Sequence, residues 1–390
     1  MKKYWNLLTC LFILAFTAAC TGNSGSDDPT DEGNGEGTLT LKASATYIEN
    51  NGTDAAVFTV LKGDKDVTDQ AAIYQKKGSS FEQFSGTTFT STTTGEYSFF
   101  ASYNGEMSTT ITVTVIGGML ELPADPQPAK FDGFKHRILA LQGTSLGCTY
   151  CPMMIAGLTE YEKTEEYKST VVAAAHGVMS GDDMISTYSN SVLKETGISN
   201  SGIPALLFNL QSSSEIMGIF GSDSPASVCG RIQSEAQEQL KTAASTGISA
   251  AVSGTETSGS LSVTASVKVG QTGKYRVSAW VVEDDIYAKG QMNGYPSLEE
   301  TYDFTHHSNV LRCISSTSPI TGGNLGGKEE CQAGETQMFV HEFDLNSMDI
   351  ENLSNVRVLI IVSRNASGSR YTVDNVISCG VNKSVAFEYE

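Results

Sequence analysis

Alternating apolar and polar residues mark a β-rich region on each side of a middle segment. In the first region, residues 38–117, the alternation runs through Leu39–Ala45, Ala56–Leu61, Gly95–Tyr103 and Thr109–Val115, with Asn-Gly turn signals at 51–52 and 104–105. Because successive side chains of a strand point to opposite faces, each segment has one face suited to a core. The pattern predicts an all-β sandwich over residues 38–117.

The second β-rich region covers residues 246–390. Its predicted strands are Leu261–Val269, Tyr275–Asp284, Met338–Leu345, Val356–Val362 and Ser384–Tyr389. They predict a C-terminal antiparallel β-sandwich, jelly-roll-like in its connections. The connection Tyr287–Glu330 is too long for a hairpin turn. It is a ligand-binding loop, a dock onto the middle segment, or an ordered excursion packed on its own sandwich.

Residues 130–245 have a mixed α/β pattern. An apolar strand leads into a loop with Cys148 and Cys151, a helix follows from Met153, and Val171–His176 is typical of a buried strand. A further apolar strand over 202–209 precedes a helix over 226–244. This order of elements is that of a thioredoxin-like domain. The chain is therefore predicted to contain a β-sandwich, an α/β thioredoxin-like domain over 130–245 and the C-terminal sandwich.

Cys148 and Cys151 are the candidate catalytic pair. A cysteine at a helix N-terminus faces unsatisfied N–H groups that stabilise its thiolate, and a second cysteine one turn on can resolve a mixed disulfide. Pro204 is predicted to face the pair after a cis peptide bond. Against this, Gly147 and Gln142 stand where thioredoxins carry a tryptophan and a buried acid. The pair is thus a redox dithiol, an inert disulfide, or half of a zinc site that lacks its other ligands.

The first 37 residues predict an export signal and a tether. Lys2 and Lys3 precede an apolar run over 7–16 and small residues before Cys20. This is the layout of a bacterial lipoprotein signal peptide over residues 1–19, with Cys20 as the lipidated residue. Residues 20–37 are rich in Gly, Ser and acidic side chains, which predicts a solvated tether. The acidic stretch resembles the surface-export signal of Bacteroidetes lipoproteins, and a periplasmic spacer is the alternative.

The middle and C-terminal regions together resemble one family. The run Gly143–Pro152, the strand Val171–His176 and the segment His306–Arg312 resemble the Omp28-related outer-membrane lipoproteins of Bacteroidetes. The resemblance covers about residues 130–390 and implies a surface protein with a thioredoxin-like part and a β-rich C-terminal part. The family's commoner motif, Thr-Trp-Cys-Gly-Tyr-Cys-Pro, is only partly kept, so site residues carry over only for the two cysteines and, less directly, Pro204.

Cysteine use fits an exported chain. Of eight cysteines, Cys10 leaves with the signal and Cys20 takes the lipid, which leaves six. Cys148 and Cys151 are close enough in sequence to pair. Two structural disulfides then follow by elimination from the remaining cysteines: Cys313–Cys331, which would close the Gly-rich excursion, and Cys229–Cys379, which would join the last helix of the middle domain to the C-terminal sandwich.

Charge and motifs exclude several classes of function. The 390 residues include 25 basic and 44 acidic side chains, for a net charge of −19. Nucleic acid is excluded as a partner because phosphate binding requires a basic surface. The motifs of serine hydrolases, zinc peptidases, P-loop NTPases and dinucleotide-binding enzymes are absent, so no cofactor and no metal is predicted.

Two functional hypotheses remain, and both place the protein at the outer membrane through Cys20. The first is a non-enzymatic surface scaffold that binds a host protein, an envelope protein or a glycan. In it the first sandwich is a spacer, since the stretch ending at Val115 resembles a bacterial immunoglobulin-like domain. The alternative is an envelope thiol–disulfide oxidoreductase that uses Cys148 and Cys151. A carbohydrate-binding module ranks last, because Trp280 is the only tryptophan left after the signal is removed.

Overall fold

The computed structural model describes residues 37–390 except 45–46, 118–119, 178, 180 and 256–258. The predicted signal peptide 1–19, the lipidation site Cys20 and the tether up to residue 36 lie outside the described residues. No helix in the described part is long and apolar enough to cross a membrane.

The N-terminal region forms two facing sheets from short strands. These are β1 Leu39–Ala43, β2 Tyr47–Glu49, β3 Ala56–Lys62, β4 Lys65–Asp66, β5 Ala72–Lys77, β6 Ser80–Phe84, β7 Thr88–Phe89, β8 Gly95–Tyr103, β9 Glu106–Met107 and β10 Ile111–Ile116. One sheet is built on β3, with β1, β4 and β7, and the other runs β2-β10-β8-β5-β6 with β9 beside β8. Inward residues such as Phe58, Phe99 and Val113 are fully buried between them. The alternation predicted for residues 38–117 therefore fills one sandwich core.

The middle region alternates strands and helices. Its elements are β11 Ile138–Thr144, α1 Cys151–Tyr161, β12 Thr170–His176, α2 Thr187–Glu195, α3 Ile198–Ser201, β13 Ala205–Phe208 and α4 Pro225–Leu240. β12 lies parallel to β11 and β13 lies antiparallel to its other side. Beyond β13, Leu206 and Met217 exchange backbone hydrogen bonds of 2.8 Å in both directions.

Local sequence explains where α4 begins and how it packs. Ser224 caps the helix in a reciprocal capping box with Ser227, and a proline occupies the first turn. Val228, Ile232 and Ala236 repeat every four residues, so one apolar stripe is buried against α1. The helices approach closely at Gly157, where a Cβ atom would lie 2.3 Å from the Val228 side chain. Any larger residue at that position would separate α1 from α4.

The described part of the C-terminal region contains eleven strands. They are β14 Thr246–Thr255, β15 Ser260–Val269, β16 Tyr275–Glu283, β17 Ile286–Tyr287, β18 His306–His307, β19 Val310–Ile314, β20 Gly323–Asn324, β21 Thr336–Asp344, β22 Val356–Ser367, β23 Arg370–Gly380 and β24 Lys383–Val385. β21-β15-β14-β24 form one antiparallel sheet. The remaining long strands join a different sheet.

One large sheet connects the middle and C-terminal regions. Its order is β13-β11-β12-β19-β16-β22-β23, with β20 beside β16. The junction is the parallel contact of β12 with β19, where Ala174 is paired with Val310. This sheet thus contains strands from both sides of the predicted domain boundary at 245/246. The molecule is β-rich, with several sheets and few helices.

This sheet is buried on both faces. Along β11, Ile138 and Ala140 face the core under α1 and α4, whereas Leu139 and Leu141 face the core that also contains residues of α2 and α3. Further along, alternate residues of β16 and β22 face the four-stranded sheet in the largest core. Continuous apolar runs are the consequence, as expected for strands covered on both sides.

The cysteine pairs inferred by elimination are not formed. Cys229, Cys313, Cys331 and Cys379 are free thiols in the structure, contrary to the predicted Cys313–Cys331 and Cys229–Cys379 disulfides. The thiols of Cys313, Cys331 and Cys379 each lie 3.2–3.8 Å from a nearby backbone carbonyl. Burial raises the pKa of all four thiols, and that of Cys379 to about 11. Cys313, Cys331 and Cys379 behave as small apolar core residues, which free cysteines commonly do, and Cys229 is partly buried at the margin of a core. An even number of cysteines therefore did not imply pairing.

Candidate functional site

Cys148 and Cys151 form a disulfide at the start of α1. Their Cα atoms are 5.3 Å apart. The buried strand β11 ends at Thr144, and two tight turns follow, in which the Cys148 N–H donates to Ser145 and the Cys151 N–H donates to Cys148. Cys151 is the first helical residue, so the pair lies where the unpaired N–H groups and the positive end of α1 are. The predicted position of the cysteines at a helix start is therefore found, whereas their catalytic role stays a prediction.

Pro204 lies at the same end of the sheet. The Ile203–Pro204 peptide bond is cis, which confirms that prediction, and a second cis bond precedes Pro319. The next residue, Ala205, is paired with Gly143 of β11. Pro204 therefore lies beside the point where β11 ends and residues 145–150, hereafter the cysteine loop, begin. Its contact with a substrate remains a prediction.

Both cysteines are buried. Cys148 is 3% exposed and Cys151 is fully buried. In the oxidised structure neither sulfur is freely open to a partner molecule. Thiol–disulfide exchange requires access to a sulfur atom, so whatever covers the cysteine loop determines its reactivity.

Residues 291–295, hereafter the covering segment, lie across the cysteine loop. The N–H groups of Met292 and Gly294 donate to the carbonyls of Leu146 and Thr149, each at 2.8 Å. The side-chain amide of Gln291 lies 3.1–3.3 Å from the carbonyl oxygens at positions 145, 146 and 148. The covering segment belongs to the long connection 287–330. This connection therefore contacts the middle region, which is one of the three interpretations that the sequence left open.

The connection continues along α1 after the covering segment. The rings of Tyr295 and Tyr150 are 6.3 Å apart edge to face, and the Tyr302 hydroxyl donates to Glu160 at 2.8 Å. Leu298 packs at the margin of the core beneath α1 and α4. These contacts hold the C-terminal side of the covering segment against α1 and the residue before it, next to the disulfide.

A buried His–Asp pair lies beneath the cysteine loop. The Asp182 carboxylate contacts His176 Nδ1 at 2.8 Å and accepts hydrogen bonds from the N–H groups of Leu146 at 2.9 Å and Met184 at 3.0 Å. Burial alone would raise the pKa of Asp182, but the bonds from His176 and Leu146 outweigh it and lower that pKa to about 2. An ionised carboxylate thus anchors the residue two positions before Cys148.

A second histidine lies next to this pair. The rings of His307 and His176 are 6.1 Å apart, and His307 Nε2 is buried with no hydrogen-bond partner in the described structure. Burial, with a smaller effect of His176, lowers the pKa of His307 to about 4. The adjacent His306 is exposed and contacts Asp303 at 2.7 Å. The two neighbouring histidines therefore face opposite sides, as their positions in a strand predict.

The residue six positions before Cys148 is a glutamine, which cannot take up the proton of a thiol. Gln142 is buried in β11, and its amide nitrogen has no hydrogen-bond partner among the described residues. In the described part of the chain, no group of three His, Cys, Asp or Glu side chains is arranged to hold a metal ion. His176 and Asp182 were not identified as a pair from sequence, because five residues lie between them and no motif links a histidine to an aspartate at that spacing.

Comparison with known proteins does not assign a family. No protein-family model and no curated protein matches the chain. Among solved structures it is similar to HBP35 of Porphyromonas gingivalis, with 16% identity and a TM-score of 0.47 over 65% of this chain and 77% of that one. The adhesin InvE of Yersinia pseudotuberculosis matches over 90% of this chain and 61% of that one, with 11% identity and a TM-score of 0.16. A β-glucosidase from Kluyveromyces marxianus matches over 37% of this chain and 15% of that one, with 10% identity and a TM-score of 0.17.

These likenesses are too loose to support an argument about fold or function, since each TM-score is below 0.5. Membership of the Omp28-related family and a thioredoxin-like domain therefore remain hypotheses that rest on the residues and geometry of this chain.

Proposed function

We propose that the chemistry of this protein is thiol–disulfide exchange with a polypeptide partner at the bacterial envelope, carried out by Cys148 and Cys151 in a thioredoxin-like setting. The single observation that carries the proposal is the placement of this disulfide at the start of α1, where β11 ends. Pro204 lies at the same end of the sheet, by its position next to Ala205 in the ladder with β11. Helix N-terminal amides favour the thiolate, which is the reactive form of cysteine.

The exchange step balances without a cofactor. One thiolate of a substrate dithiol attacks the Cys148 sulfur, the Cys148–Cys151 bond breaks, and Cys151 leaves as a thiolate that takes up a proton. The second substrate thiolate then attacks the substrate sulfur of the mixed disulfide and releases Cys148 as a thiol. Two electrons and two protons pass from the substrate to the cysteine pair, and the reverse sequence reduces a substrate disulfide.

A second candidate function is a binding scaffold without catalysis. The burial of both cysteines favours it, because a disulfide that no partner can reach only staples the loop to the helix. In this function the N-terminal sandwich is a spacer, and the β-rich C-terminal part binds a protein or glycan. The scaffold hypothesis makes no use of the helix terminus or of Pro204, which is why we place it second.

Reduction of insulin by the full mature chain, with dithiothreitol as the electron source, separates the two functions. Exchange chemistry predicts turnover by the wild type and its loss in Cys148→Ser. A Cys229→Ser variant is the matched control, since that thiol lies on α4 outside the proposed centre, and it should retain the wild-type rate. Absence of turnover in the wild type, even after the pair has been reduced, would leave the scaffold as the function.

We further propose that the protein is anchored to the outer membrane by lipid on Cys20, facing the cell surface. The sequence before Cys20 and the acidic Gly/Ser stretch after it support this. Several acyl chains on one cysteine give firm attachment, because each buried CH₂ group contributes about 0.8 kcal/mol. Substitution of Cys20 by Ala should move the protein from the membrane fraction to the soluble fraction. Protease treatment of intact cells then distinguishes an external from a periplasmic face.

A further inference from the structure

The covering segment contacts the cysteine loop through its own backbone. Its two backbone donors, at Met292 and Gly294, are two residues apart, and both point to the carbonyls of one loop. Alternate N–H groups of a strand lie on the same side, and these two donors have that spacing, although the chain bends at Gly294 and forms no strand ladder with the loop. The two acceptor carbonyls, those of Leu146 and Thr149, are three residues apart and bracket Cys148.

From these contacts we infer that the cysteine loop is a docking surface for an extended polypeptide, that the covering segment occupies this surface in the resting protein, and that it must leave before a partner reaches Cys148. The inference rests on the exchange chemistry proposed above. It adds the class of substrate and the segment that controls access to Cys148. The occupant in the resting state is residues 291–295 of the same chain, and the competing ligand is an extended segment of a partner protein.

The fit at Gly294 sets a size limit on what can dock. A Cβ atom at this position would lie 3.0 Å from the Thr149 methyl group and 3.1 Å from the Thr149 carbonyl oxygen. Such approaches are closer than ordinary van der Waals contact, so a branched side chain there requires the segment or the loop to move. A partner segment should therefore present glycine or another small residue opposite Thr149.

Gln291 adds a second, side-chain attachment. Its amide reaches three carbonyl oxygens of the loop, at Ser145, Leu146 and Cys148, and it also lies 3.0 Å from the Met292 carbonyl. An NH₂ group has two hydrogens, so it satisfies two of these acceptors at a time. Removal of this side chain takes away contacts with the loop while it leaves both backbone bonds of the covering segment available.

The covering segment can detach without unfolding either sheet. It is held between two fixed points, the β17–β18 pair on one side and the turn Pro296–Glu300 on the other. Between them, two backbone hydrogen bonds and one side chain make the contacts described here, and Met292 is 53% exposed. Segments with few buried contacts open at far lower cost than whole domains do.

The test is the rate at which a water-soluble phosphine reduces the Cys148–Cys151 disulfide in the full mature chain. Thiol alkylation and mass spectrometry follow the reaction. Gly294→Val and Gln291→Ala should each react about tenfold faster than the wild type or more, since each loses the equivalent of one or two hydrogen bonds from the closed state. Gly323→Val is the matched control, because a Cβ atom there meets nothing within 4 Å, and it should react at the wild-type rate.

Equal rates for the wild type, Gly294→Val and Gln291→Ala would overturn the inference. Thermal unfolding of each variant checks that faster reduction does not come from loss of the fold, and Gln291→Ala decides if Gly294→Val does not fold. The assay needs no substrate protein, so its outcome is separate from that of the proposed function. Fast reduction without insulin turnover would refute exchange catalysis and keep the covering role, whereas insulin turnover with equal reduction rates would do the reverse.

Discussion

Replacement of Asp182 by Asn should loosen the region beneath the cysteine loop in a pH-dependent way. The carboxylate is buried, contacts His176 and accepts two backbone N–H groups, one of them from Leu146. Its pKa falls from 3.8 to about 2 in the folded chain. Such a shift corresponds to about 2–3 kcal/mol of unfolding free energy at neutral pH. Asn keeps the shape but removes the charge that His176 and the N–H groups stabilise.

The direction of the pH dependence follows from the lowered pKa. Above about pH 5 the carboxylate is ionised in both the folded and the unfolded chain, so its contribution is complete. Between about pH 5 and pH 2 the unfolded chain takes up the proton first, and most of the contribution is lost. The difference in unfolding free energy between wild type and Asp182→Asn should therefore be about 2–3 kcal/mol at pH 7 and shrink by about 2 kcal/mol near pH 2.

Urea unfolding monitored by tryptophan fluorescence measures this difference. Trp280 is the only tryptophan among the residues that the structure describes and is fully buried in the large sheet, so it reports on the part of the molecule that contains Asp182. Asp183→Asn is the matched control, because the neighbouring side chain is exposed. A difference that stays constant from pH 7 to pH 2, or an equal loss in both variants at pH 7, would contradict the reasoning.

Three further predictions follow from other buried groups. Burial lowers the pKa of His307 to about 4, so the unfolded chain takes up a proton first and the wild type should lose about 3 kcal/mol of unfolding free energy between pH 6.5 and pH 4. His307→Gln should not show this loss, whereas the exposed control His306→Gln should show it as the wild type does. Urea unfolding across this pH range is the measurement. Lys268→Met should lower the unfolding free energy by about 3–5 kcal/mol, because its loss leaves Asp125 without its buried cation. The Lys268 ammonium also donates to two backbone carbonyls and contacts the Tyr389 hydroxyl. The control Lys274→Met, at an exposed lysine, should unfold like the wild type. Thiol titration of a denatured, unreduced chain of residues 37–390 should find four thiols, whereas the two disulfides inferred from sequence would leave none.

Local pattern predicted most of the individual elements. The alternation in 261–269 and 275–284 corresponds to β15 and β16, and the four-residue apolar spacing after Ala226 corresponds to α4. Strands β14, β19 and β23 and helix α2 were not predicted. α2 buries only Ser189, Val192 and Leu193 of a mostly polar sequence, and its start is capped by the Ser186 side chain. Such short elements are stabilised by what they pack on, which sequence spacing alone does not show.

The partners of each element were harder to predict than the elements themselves. A strand buried on both faces, such as Val356–Val362, has no alternation that identifies the sheet it joins. The two regions were therefore assigned to separate domains, although β12 and β19 are hydrogen-bonded neighbours. The two predicted disulfides are wrong for the same reason, since an even number of cysteines does not show which side chains lie close together.

The candidate site combines residues from the middle and C-terminal regions because these regions share a sheet. Since β19 follows β18 closely in the chain and pairs with β12, the connection before β18 is held near the end of the sheet where the cysteine loop begins. Gln291 and Gly294 can cover Cys148 only because of this arrangement, although more than 140 residues separate them in sequence. The cysteine loop and its cover thus come from regions that sequence analysis treats as independent. The reactivity of the disulfide should accordingly respond to substitutions in the C-terminal region that leave the cysteine loop unchanged.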